Sequence, residues 1–324
     1  MKNLRNYLIG GAMLMAAPLV LTSCEDVLGH WEKPTPAVIP AAPSYYKWDA
    51  TEKKLVPEQA TGDVTVITPE MTTWSGTCFV DKDITIDGNV TMADDVILII
   101  ADGVKLQING KVAGADYSLG VFGQEAGTGQ FIVDAISAEE NAIEVKGLEV
   151  AEVKIEAKTS TANNACSAIK PHGTTLIYAG TITAEGYHAF AGTDVEIIGG
   201  ELNLTSDAQT LTGNTLTISG GKLNISGNGT GGTGLINAHD ITIKSTIEEI
   251  KITNNNAGTS AAALGIWMQA SNSLIFGTNT DIHTTWNESS TTIATNATYS
   301  NAGTTGFTVK RTADKDLTIT PNNL

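Results

Sequence analysis

Residues 195–206 read VEIIGGELNLTS, and residues 216–227 read LTISGGKLNISG. Each stretch is a short alternating strand, a Gly-Gly break and a second alternating strand. Apolar residues at every second position mark a strand with one buried face. Working outward, LIYAGTITAEG starts at Leu176, ITIKSTIEEIKIT at Ile241, and a looser copy, LEVAEVKIEAK, at Leu148. A shorter third segment precedes each copy: NAIEVKG, SAIKPHG, HAFAGTD, AQTLTGN and GLINAHD. Repeats of about 20 residues with short strands and no helical period predict a β-solenoid. Three strands per repeat predict an all-β, right-handed parallel β-helix of triangular section.

Stacking fixes what should lie over what. Rungs separated by about 4.8 Å bury a continuous core that no single coil can bury alone. Val195, Ile197, Leu202 and Leu204 are expected to point inward over Leu216, Ile218, Leu223 and Ile225. Asn203 should lie under Asn224 on the outside, and Glu201 under Lys222. The Gly199-Gly200 and Gly220-Gly221 breaks fit sharp corners.

The N-terminal half shows the same architecture with less regular coils. From Trp74 the chain reads WSGTCFVDKDITIDGNVTMADDVILIIADGVKLQINGKVAG, with strands alternating with Asp-Gly and Gly-Lys turns. Beyond Asn254 the repeat fades into Ala, Thr and Asn, which predicts irregular C-terminal coils and a cap from about residue 255. At roughly 20–25 residues each, about eleven coils fit between Trp74 and Leu317.

Composition agrees. Thirty-three glycines and only 17% charged residues among 324 disfavour a helical protein. A formal charge of -16, with Arg5 and Arg311 the only arginines, excludes nucleic acid as a partner.

The first residues read as an address. Lys2 and Arg5 precede an apolar stretch from Leu8 to Leu21, too short for a stable membrane span. It ends in Leu21-Thr22-Ser23-Cys24, which resembles the lipobox of bacterial lipoproteins and implies lipidation of Cys24 by acyl chains such as palmitate. Loss of residues 1–23 would remove both Lys2 and Arg5 and no acid, leaving a charge of about -18. Glu25 and Asp26 resemble the surface-export signal of lipoproteins in the Bacteroides group. The expected localisation is therefore the outer membrane, lipid-anchored and facing the cell exterior, with membrane contact through the anchor only. Residues 24–45 contain the Pro-rich run KPTPAVIPAAP and read as an extended surface tether. Residues 46–73 are expected to form an N-terminal cap region, and 74–324 the β-helix. Cys78 and Cys166 are expected as two buried free thiols, with a disulfide between them as the alternative in an oxidising compartment.

The run 74–108 followed by LGVFGQEAGTG resembles an N-terminal coil pattern of surface proteins in gut bacteria. The IIGGELNLTS and ISGGKLNISG units resemble a family of parallel β-helix carbohydrate-binding domains, related in shape to pectate lyases. That resemblance implies binding of plant polysaccharides assisted by calcium.

Three functions follow as expectations. The first is noncatalytic binding of a polysaccharide or glycan by a cell-surface lipoprotein. Here Tyr187, His188 and Trp267 are the candidate ligand-binding residues, because sugar rings stack on exposed aromatics. Calcium, if bound, would draw on Asp194, Asp207 and Asp240, since neighbouring coils bring turn carboxylates together. The second is an adhesin-like or structural module with a protein partner. The third is a polysaccharide lyase or hydrolase. No carboxylate cluster supports it: Asp94 and Asp95 are adjacent and should face opposite ways in a strand, which leaves a Lys base such as Lys170. His172, His188 and His239 are expected near equivalent corners, with Asn and Thr bonding ordinary turns.

Overall fold

The computed structural model describes residues 42–324 apart from 137–139, 163–164, 229–234, 245, 256–265, 268–273, 278–282, 287–297, 301–305, 313–315 and 322–324. Cys24 and most of the expected tether lie outside the described residues.

The first elements are a hairpin, β1 (Ser44–Asp49) and β2 (Lys54–Gln59), and a short strand β3 (Val64–Val66). Long strands then alternate with short ones: β4 (Thr73–Val80), β5 (Ile84–Asp87), β6 (Val90–Ile100), β7 (Lys105–Asn109), β8 (Val112–Gly123), β9 (Gln130–Ala135), β10 (Ile143–Ala151) and β11 (Lys154–Thr159). From there each coil has three segments: β12 (Ser167–Pro171), β13 (Thr174–Ile177), β14 (Thr181–Gly186), β15 (His188–Ala191), β16 (Asp194–Ile197) and β17 (Glu201–Ser206). They continue as β18 (Leu211–Ile218), β19 (Lys222–Gly227), β20 (Ile236–Lys244) and β21 (Glu249–Asn254). The last strands are β22 (Ile266–Trp267), β23 (Leu274–Gly277), β24 (His283–Trp286), β25 (Thr298–Ser300), β26 (Gly306–Thr312) and β27 (Asp316–Pro321).

These strands stack as a parallel β-helix. The first parts of the long strands, continued by β12, β15 and β22, make face 1. Their second parts, continued by β13, β16 and β23, make face 2. Face 3 is β5, β7, β9, β11, β14, β17, β19 and β21, joined by seven parallel steps. Parallel stacking then stops. β27 lies antiparallel on β21 and β24 antiparallel on β23. The solenoid thus has about seven turns rather than eleven coils, because the C-terminal strands fold back on its end.

Side-chain columns fill the interior. Val195 and Ile197 lie over Leu216 and Ile218, and Leu202 and Leu204 over Leu223 and Ile225, all buried. Each is worth roughly 1.5–3 kcal/mol. Where Ala157 and Ala184 thin one column, bulkier side chains serve elsewhere: Phe131 stands 6.3 Å from Trp74, whose indole N–H donates to the Met71 carbonyl at 3.2 Å. Cys78 and Cys166 are buried and form no disulfide. At the corners Gly200 and Gly221 take φ of +85° and +74°. A Cβ on Gly221 would also meet the Gly200 carbonyl oxygen at 2.3 Å, so the corner excludes a side chain twice over.

Three further expectations need correction. The unit starting at Leu176 is out by one residue: Thr175, not Leu176, stacks on Val195. Ile177 must sit over Ile197, and a period of two then fixes Thr175 inward and Leu176 outward. Asp94 and Asp95 do not face opposite ways. Both are exposed in an irregular stretch of β6, where the Asp94 carboxylate accepts from Asp95 N and that of Asp95 from Ser118 N. Finally, His188 begins β15, whereas His172 and His239 lie at the corner between faces 1 and 2.

The hairpin covers a lateral face. Residues 96–100, VILII, bury Val96, Leu98 and Ile100 inside and Ile99 outside. Ile99, Phe122 and Ala151 form an outer apolar column on face 2, and the hairpin covers it. Tyr45 packs on Phe122 with ring centroids 5.1 Å apart, and Trp48 stacks on Tyr178 at 5.1 Å and 9°. Gln124 donates to the Ser44 carbonyl at 3.0 Å. The hairpin turn is held by Asp49, whose carboxylate accepts from Thr51 N and Glu52 N at 2.8 and 3.0 Å.

Candidate functional site

Outward positions on face 3 form columns along the solenoid axis, because parallel register repeats each position rung after rung. In the last rungs the first column is Thr181, Glu201, Lys222 and Glu249. The second is Thr183, Asn203, Asn224 and Lys251, and the third Glu185, Thr205, Ser226 and Thr253. Backbone bonds from Asp207 N to Gly186 O, Asn228 N to Ser206 O and Asn255 N to Gly227 O continue the pairing past the strand ends. A fourth column follows: Tyr187, Asp207, Asn228 and Asn255. The result is a polar wall with one aromatic ring at its rim.

Hydrogen bonds order this wall. Asn224 donates to Asn203 Oδ1 at 2.9 Å and to Glu201 Oε1 at 3.3 Å, and Asn203 donates to Glu201 Oε1 at 3.3 Å. Asn228 donates to Asp207 Oδ1 at 2.7 Å, and Asn255 to Ser226 Oγ at 3.2 Å. Glu201 and Lys222 are register partners as expected, but the Lys222 ammonium pairs with Glu248 at 3.3 Å. Glu201 is instead occupied by the two amides. A groove of about 260 Å³ runs between the second and third columns, lined by Asn203, Asn224, Lys251, Thr205, Ser226 and Thr253. A smaller one of about 140 Å³ lies upstream on the same face, beside Gln130, Lys154, Glu156 and Thr183.

The structure brings two of the sequence-derived site residues, Tyr187 and Asp207, to this wall, and His188 adjoins them at the start of face 1. Tyr187 and His188 meet edge to face with centroids 4.9 Å apart, His188 Nδ1 lies 3.2 Å from the Gln209 carbonyl oxygen, and Asp207 is the next rung of the Tyr187 column. The other two acids lie elsewhere. Asp194 and Asp240 share one face-2 column with Thr215 between them, and Thr215 donates to Asp194 at 2.7 Å. Asp194 begins β16 while Asp207 follows β17, so the two occupy different corners of one coil. Among the described residues no three His, Cys, Asp or Glu side chains are grouped to hold a metal ion. Trp267 sits in register with Asn237, continuing the face-1 column of Ala191 and Thr212.

The candidate base Lys170 lies 3.6 Å from Glu144, which also accepts from His172 Nε2 at 2.9 Å. Burial pushes the Glu144 carboxyl up, but hydrogen bonds from Asn141 and His172 and the charge of Lys170 outweigh it and hold it below the usual carboxylate range.

Fold and wall together define the class: a parallel β-helix with a ladder-like polar lateral face. No protein-family model, curated protein or solved structure matches the chain.

Proposed function

We propose that this protein is a lipid-anchored, noncatalytic glycan-binding protein of the cell exterior, and that the face-3 wall from Tyr187 to Asn255 is its binding surface. One observation carries the reading: side-chain amides and hydroxyls stand in register on successive rungs beside an aromatic rim. Sugar hydroxyls donate and accept at once, and so do amides and hydroxyls. A rim ring adds an apolar surface for a sugar face. Rung spacing of about 4.8 Å is comparable with the length of one hexose unit, so a linear glycan meets like groups repeatedly. The lipobox at Cys24 and the acidic pair after it support the location.

The test is a pull-down of the mature chain carrying Cys24→Ser on insoluble polysaccharides, with and without chelator. Retention is expected, reduced several-fold by Tyr187→Ala and unchanged by chelator on neutral glycans. Calcium-assisted binding would instead be lost on chelation. Release of reducing ends or unsaturated products would identify an enzyme. Failure on every polysaccharide with capture of a protein ligand would identify an adhesin.

A further inference from the structure

Resting on the glycan reading above, we infer that the ligand is a neutral, linear glycan lying along the solenoid axis, in the trough between the Asn203–Asn224–Lys251 and Thr205–Ser226–Thr253 columns. Orientation follows from where uncharged groups run. Along the strand direction, β17 offers Glu201, Asn203, Thr205 and Asp207 on the outside, so the uncharged stretch is two residues long with an acid at each end. Along the axis, Thr205, Ser226 and Thr253 continue unbroken across three rungs, and Asn203 and Asn224 run beside them. The groove itself follows that line. Its floor is strand backbone already paired in the ladder, so recognition falls to the side chains of the two columns.

Charge selects the class of glycan. Glu185, Glu201, Asp207 and Glu249 rim the trough against Lys222 and Lys251, and Lys222 is paired with Glu248. The chain as a whole carries -16. A polyuronate entering this trough meets like charge at both edges, within the Debye length of about 8 Å at physiological salt. A neutral glycan meets none. Three rungs, about 4.8 Å apart, set the reach at a few sugar units.

The experiment is calorimetric titration of the mature Cys24→Ser chain, in chelator, with neutral gluco-, manno-, xylo- and galacto-oligosaccharides of one to six units and with a galacturonate hexamer. At least one neutral series should gain affinity up to about four units and then level off. The uronate should bind at least tenfold more weakly, with the gap narrowing at high salt. Asn224→Ala and Ser226→Ala should each lose roughly 2- to 12-fold with melting temperature unchanged, while Gln107→Ala on an upstream rung loses nothing. Affinity independent of length, a uronate bound as tightly as the best neutral oligomer, or trough variants without effect would each overturn the inference. If trough variants are silent but Tyr187→Ala abolishes retention on polysaccharide, the glycan reading stands and the trough does not. If no oligosaccharide or insoluble polysaccharide binds, both fall.

Discussion

Thr175 is where a single residue departs from the rule of its column. Leu148 lies below it and Val195 above, and all three are buried. Its hydroxyl has no hydrogen-bond partner and no exposure to solvent. A buried polar group left unpaired costs about 1–3 kcal/mol, whereas an apolar group of the same shape costs nothing comparable. Thr175→Val should therefore stabilise the protein by about 1 kcal/mol, a rise in melting temperature of roughly 2 °C. An unchanged or lower melting temperature would mean that the hydroxyl has a partner after all. The same residue explains why the copy at Leu176 is out by one position. A polar residue at an inward position and Leu176 at an outward one invert the local pattern, and only the register of Ile177 over Ile197 restores it.

At the scale of elements, the regular strands were legible and the hairpin was not. Residues 195–227 alternate cleanly because one face is buried and the other wet, and every inward pair read from them is found stacked. Residues 96–100 are apolar without a break, which is the pattern of a strand covered on both sides. The cover it receives was not read from the sequence, because nothing in residues 44–59 names itself as one. The interface it makes contains Glu149, which accepts from the Tyr178 hydroxyl. Burial, then the charge of Glu58, pushes the Glu149 carboxyl above its ordinary 4.5 despite Lys47 nearby, and burial beside Glu149 pushes the Tyr178 hydroxyl to about 12. Below pH 4.5 Glu149 is protonated in both the folded and the unfolded chain and biases neither. As pH rises, the unfolded chain ionises first, so the folded state loses stability through that window. Glu149→Gln keeps an acceptor for Tyr178 and removes the charge. It should raise the melting temperature at pH 7 and have no effect below pH 4.5. A gain that is equal at both pH values would trace to packing instead.

Over the whole molecule, the legible part was the repeat, and the illegible part was the direction of the strands that follow it. Period and corner glycines predict stacking, but they cannot give the direction of a later strand, because β27 and β24 are strands like the others and differ only in running antiparallel. The wall was legible in part for the same reason: Asn203 under Asn224 follows from period, whereas the partner of Lys222 depends on Glu248, in the copy whose corner lacks the Gly-Gly break. Stacking also dictates how the molecule comes apart. Each rung touches only its neighbours, so stability is a sum of rung and nearest-interface contributions. Ile182 lies between Ile155 and Leu202, while Ile84 pairs with Leu106 on one side only among the described residues. Truncating either to Ala should cost about 2–5 kcal/mol locally. Ile182→Ala weakens two interfaces in the middle of the stack, so hydrogen exchange should accelerate in β11, β14 and β17 together. Ile84→Ala should accelerate exchange in β5 and β7 and leave β17, β19 and β21, with the wall they carry, as protected as before. Uniform acceleration along the chain in both variants would show that the rungs melt as one cooperative block and that damage at the first rung reaches the wall.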